Sequence, residues 1–82
     1  MSYMKRYAED LEQVRELAGL AWHRHGGDPH GRRAGLRAVL DHCGSLAARY
    51  HDPVAVAANL SVEAQNTYLE TAQQSKRSGA AV

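Results

Sequence analysis

The 82-residue sequence has a single cysteine, no phenylalanine and one tryptophan. One cysteine excludes an intramolecular disulfide, and the scarcity of large apolar side chains predicts a thin core for this chain length. The first residues also lack the long apolar run of a signal peptide or membrane span. We therefore expect a cytoplasmic protein that gains stability as a homodimer.

An excess of charge of one sign is missing as well. Ten basic residues balance nine acidic residues, for a formal net charge of +1. No overall field therefore directs the chain to nucleic acid or to an anionic membrane. The charges are nevertheless segregated, with acidic residues over 9–16 and four arginines over 24–37. Two complementary solvated faces of a helical hairpin would explain this distribution.

Apolar residues three and four positions apart predict helices at about 2–25, 30–51 and 53–75. Asp28-Pro29 and Asp52-Pro53 each provide a cap and a first-turn proline. One long third helix is favoured over a break at Ser61, and residues 76–82 are predicted to be a flexible C-terminal tail. The predicted fold class is all-α: a single helical domain over 1–75, with an antiparallel helical hairpin plus a third helix in a small, dimeric helical bundle.

Three glycines, Gly19, Gly35 and Gly44, lie inside the predicted helices. Each costs roughly 1 kcal/mol relative to alanine unless a close backbone approach requires it. The glycines therefore predict close helix packing. Gly44, Ala47 and Ala48 also form a small-residue patch that can accept a third helix or a second subunit.

Five histidines and Cys43 suggest metal binding, but no His-x-x-x-His or Cys-x-x-Cys spacing occurs. Cys43 lies on the apolar repeat of the second predicted helix, where we expect it to pack as a small hydrophobic residue. Asp41, His42 and Ser45 suggest a catalytic triad, but Asp41 and His42 are adjacent on one helix and point apart. We therefore expect no metal site, no cofactor and no enzymatic activity.

Basic residues surround the glycine-rich turn that leads into the second predicted helix. The amides and dipole of a helix N-terminus favour an anion, and the arginines favour contact with an acidic protein surface. The glycines are equally explained as ordinary turn residues. The candidate partner-binding residues at this tip are Arg24, His25, His30, Arg32, Arg33 and Arg37.

The third helix carries Tyr68 next to Leu69. Adjacent residues cannot both lie on one narrow core stripe, so one of the two is predicted to be available to a partner. A helix-turn-helix over residues 56–67 is an alternative interpretation. Its recognition helix would carry Glu63 and no Lys or Arg before Lys76. Because contacts with phosphates supply most DNA affinity, this composition argues against DNA binding by the segment.

These features favour a small non-enzymatic protein-protein interaction module. We expect it to bind and modulate another protein by inhibition, in the style of a phage or mobile-element regulator. The alternative is a nucleic-acid-binding regulator that uses the arginine-rich tip. Binding through arginines to phosphates would weaken steeply with salt, whereas an apolar helix contact would not.

Overall fold

The computed structural model describes residues 2–81, and the side chains of residues 4–76. It contains helices α1 (Ser2–His25), α2 (Pro29–Ala47) and α3 (Pro53–Ala81), and the described residues form no strand. Each helix contacts the other two, so the chain is a compact three-helix bundle and the all-α prediction is confirmed. The dimer and the hairpin order stay predictions. Within residues 2–81, no helix has the length and apolarity needed to cross a membrane.

Both predicted start signals begin a helix. The Asp28 carboxylate caps α2 by accepting a hydrogen bond from the Gly31 amide at 3.1 Å, and Pro29 occupies the first turn. Asp52 accepts from the Ala55 amide at 3.5 Å at the start of α3. These side chains satisfy amides that have no carbonyl partner within the helix, which explains both starts.

The second helix ends at Ala47, four residues before the predicted end at 51. The amides of Arg49 and Tyr50 donate to carbonyls three residues back, a tight turn that closes the helix. Tyr50 is then buried, and its hydroxyl donates to Oδ2 of the buried Asp10 at 2.5 Å. Sequence spacing did not show this end, because Tyr50 continues the apolar repeat of the helix.

The third helix runs through Ser61 without a break, as the sequence favoured. It continues to Ala81, beyond the predicted end at 75 and into the predicted tail. The side chains of residues 77–82 lie outside the described part, and the flexibility of the tail stays a prediction.

Small and medium-sized side chains fill the core between the three helices. The sulfur-bearing Cys43 is fully buried among them, and burial raises the pKa of its thiol. It therefore packs as a small apolar residue, as its position on the apolar repeat predicted. The buried hydrophobic residues are Val14, Ala18, Val39, Cys43, Leu46, Ala47, Tyr50, Val56, Leu60, Ala64 and Tyr68.

Close helix packing explains one of the three helical glycines. A Cβ atom at Gly35 would lie 2.9 Å from the Tyr68 hydroxyl oxygen and 3.2 Å from the His25 Cβ. A Cβ at Gly19 would meet only one atom, at 3.9 Å, and a Cβ at Gly44 would meet nothing within 4 Å. The prediction of a close approach is therefore confirmed at Gly35 alone.

Candidate functional site

The predicted tip residue Arg32 packs within the chain. Its Nε donates to the Gly26 carbonyl at 2.8 Å, and its guanidinium carbon lies 5.3 Å from the centre of the Trp22 ring. The carbonyl of Arg32 in turn accepts from the Tyr68 hydroxyl at 2.7 Å. These contacts join α1, α2 and α3, so Arg32 holds the turn between α1 and α2 while its side chain stays exposed.

Tyr68 and Leu69 lie on different sides of α3. Tyr68 is buried, its ring meets the Trp22 ring edge-on at 5.4 Å, and burial raises the pKa of its phenol. Leu69 is 60% exposed. The structure therefore makes Leu69 the member of this predicted pair that a partner can reach, while Tyr68 belongs to the core.

Arg33 and Arg37 lie one turn apart on the exposed side of α2. Together with the half-buried Leu36 and Leu40 they line an open hollow of about 460 Å³. His30 is also exposed, in the first turn of the same helix. This basic surface is separate from the Arg32 contacts.

A larger open groove, of about 680 Å³, lies between α1 and α2. Leu20 is 58% exposed, so apolar surface at the groove is accessible from outside. The groove is large enough for one or two bulky side chains, since ligand sites commonly measure roughly 300–1,000 Å³. Its apolar lining consists of Leu17, Leu20, Ala21, Ala38 and Val39.

The polar residues of this groove all carry nitrogen groups and no carboxylate: His23, Arg24, His25 and His42. Arg24 and His25 belong to the predicted tip, whereas His23 and His42 were not predicted. The amide nitrogen of Gln13 lies 3.2 Å from Nε2 of His42 and orients that ring. The groove therefore combines an apolar lining with groups that attract or donate to an anion.

His42 had a weak signal in the sequence. It lies one turn from Ala38 on α2, as His25 lies one turn from Ala21 on α1, and residues four apart share a helix face. Which of these faces meet across the groove depends on how α1 packs against α2. The sequence alone could not supply that pairing.

The other candidate sites are not assembled. The Ser45 hydroxyl donates to the backbone carbonyl of Asp41 at 3.4 Å while His42 contacts Gln13, so the three residues form no proton relay. Among the described side chains, no group of three His, Cys, Asp or Glu residues could hold a metal ion. A helix-turn-helix would require a turn near Ser61, but Ser61 lies within the uninterrupted helix α3.

Comparison with protein-family models, curated proteins and solved structures found no match. The chemistry of the molecular surface is therefore the guide to function. Of the two hollows, the groove between α1 and α2 is the larger, and it combines apolar contact area with polar groups. Such a combination suits the capture of a side chain or a small apolar anion.

Proposed function

We propose that this chain is a protein-binding module without catalysis of its own, and that the groove between α1 and α2 receives an apolar side chain of another protein. The observation that supports this most is the accessible apolar lining around Leu20. Apolar anchors seated in a pocket supply most of the affinity of many protein interfaces.

The polar residues of the groove define the chemistry of the partner. Arg24 carries a permanent positive charge, and the histidines beside it present ring nitrogens. Residues next to the partner's apolar anchor should therefore be acidic. Such complementarity aligns the partner and speeds association, while the apolar contact holds it. An amphipathic helix with acidic flanks fits this description.

Occupancy of this kind modulates the partner by covering the surface that carries the anchor. The proposed effect is therefore inhibition by competition with whatever that surface otherwise contacts. No change in the structure of the three-helix bundle is required, because the groove is already open.

The test compares paired charge reversals in a pull-down of the tagged chain from bacterial lysate. The lysate is used with and without nuclease treatment, the washes use low and high salt, and bound proteins are identified by mass spectrometry. Arg24→Glu at the groove and Arg37→Glu on the other surface of α2 change charge equally. We expect Arg37→Glu to recover the partner of the wild-type chain, and Arg24→Glu to recover at least about tenfold less, as for loss of a contact worth about 1.4 kcal/mol.

Leu20→Glu is the second groove variant, and it should also abolish recovery, because it places a charge on the apolar lining. Met4→Glu is its control, since Met4 is exposed on α1 away from the groove. Equal recovery by all four variants would contradict the proposal. Recovery of nucleic acid that is lost at high salt and with Arg37→Glu would instead support the nucleic-acid-binding alternative.

A further inference from the structure

The outward side of α3 has its own apolar repeat. The core-facing residues of this helix recur every four positions from Val56 to Tyr68. On the opposite side, exposed residues alternate three and four positions apart, with Val62 57% and Leu69 60% exposed. This spacing is the heptad pattern of helices that pair. We name it the outer seam, and it comprises Ala55, Ala58, Val62, Gln65 and Leu69.

The outer seam carries no charge. Between Val54 and Ser75 the only charged residues are Glu63 and Glu70. Glu63 accepts from Nε of Arg15 on α1 at 2.5 Å, and the charge of Glu70 also acts on Arg15. The Glu63 carboxylate is thus directed toward α1, and neither glutamate belongs to the seam, which is neutral along its length.

The outward sides of the other two helices are charged. The exposed charged residues of α1 include Lys5, Glu9, Glu12, Arg15 and Glu16, and those of α2 include Arg33, Arg37 and Asp41. In a two-fold dimer the same surface of each copy meets itself. A dimer through α1 or α2 would therefore enclose charged side chains of both signs. Burying charges is costly, and the cores of protein interfaces are depleted of charged residues, so the uncharged surface of α3 is the one best suited to pair with its own copy.

We propose that the outer seam is the interface of a symmetric homodimer in which the α3 helices of two copies pack antiparallel. Antiparallel pairing sets Ala58 opposite Leu69 of the second copy and Val62 opposite Gln65 of the second copy. Small residues then face large ones and fill each layer evenly. Parallel pairing would instead oppose Leu69 to itself and align the two helix dipoles unfavourably.

The size of the seam predicts a weak dimer. From Ala55 to Leu69 the helix advances about 21 Å, at about 1.5 Å per residue. One pair of helices over this length covers less than the roughly 800 Å² per partner of a standard interface. The dimer should therefore dissociate on dilution. It leaves the groove between α1 and α2 open, so the inference does not depend on the proposed function.

The first test is sedimentation equilibrium of the full chain at increasing concentration. The mass of one chain is 9.0 kDa. We expect the average mass to rise toward twice this value between about 10 µM and about 1 mM, as mass action requires. Leu69→Arg should remain monomeric throughout, whereas Met4→Arg, an equivalent change on exposed α1 surface, should associate as the wild type does.

The second test exchanges charge near the two-fold axis. Gln65 is exposed, so Gln65→Glu and Gln65→Lys should both keep the helical circular dichroism of the wild type. In the proposed register the two copies of residue 65 are offset along the helices by only about 4.5 Å. Each variant alone should therefore be monomeric because like charges lie close together across the axis, and an equimolar mixture should regain the dimer. A wild-type chain that stays at the monomer mass, a Leu69→Arg chain that still associates, or a mixture no larger than its separate variants would overturn the proposal.

Discussion

The hydrogen bond between Tyr50 and Asp10 allows a quantitative prediction about the stability of the bundle. Both side chains are less than a tenth exposed, so water has little access to the Asp10 carboxylate. Tyr50→Phe removes the hydroxyl that donates to it and keeps the ring, which packs edge-on against Tyr7 at 6.3 Å. A hydrogen bond to a charged group contributes about 1.5–3 kcal/mol, and no cavity term is added. We therefore expect a loss of about 2 kcal/mol in the free energy of unfolding.

Urea unfolding followed by far-ultraviolet circular dichroism measures this loss. With a slope of about 1 kcal/mol per molar urea for a small domain, the midpoint should fall by about 2 M. The melting temperature should fall by roughly 8–16 °C, at about 4–8 °C per kcal/mol. Asp10→Asn and the double variant complete a cycle, in which a direct contact should give a coupling energy of about 1 kcal/mol or more.

Two results would refute this reasoning. One is a Tyr50→Phe variant whose unfolding free energy lies within about 0.5 kcal/mol of the wild type, as for an ordinary surface change. The other is a cycle with no coupling between Tyr50 and Asp10. Either would mean that the early end of α2 is set by the tight turn alone.

The remaining predictions concern the packing of α2. Gly35→Ala should lower the stability measured by thermal unfolding, because the added Cβ would lie 2.9 Å from the Tyr68 hydroxyl oxygen. Gly44→Ala should raise the stability by up to about 1 kcal/mol, because its Cβ would enter open space. The reverse order of stabilities would contradict the close approach at Gly35. Burial raises the Cys43 pKa above its ordinary value of 9.0, so the stability from this thiol is complete below pH 9.0 and is lost as pH rises through the folded pKa. Unfolding free energy should therefore fall more steeply above this pH in the wild type than in Cys43→Ala, and identical slopes would argue against burial of the thiol.

The local features of this protein followed from the sequence. The starts of α2 and α3 were predicted because a cap and a proline act on amides within one turn. The burial of Cys43 was predicted because a helix face repeats every three to four residues. The uninterrupted course of α3 and the all-α class rest on the same short-range spacing, which needs no knowledge of the neighbouring helices.

Other features depended on contacts between helices. Arg32 and Arg33 are exposed neighbours with the same side chain, yet Arg32 packs on Trp22 of α1 whereas Arg33 lines the hollow beside Leu36 and Leu40 of α2. Tyr50 continues the apolar spacing of α2 in the sequence, but it lies beyond the end of the helix and its hydroxyl donates to Asp10, forty residues away.

The groove between α1 and α2 likewise depends partly on the sequence and partly on the tertiary structure. The sequence alone determined that its apolar residues lie on helical faces, but the packing of α1 against α2 decided that the faces carrying Leu20 and Ala38 meet. Helix periodicity specifies which residues share a face. The tertiary structure specifies which faces adjoin, and therefore where a partner can bind.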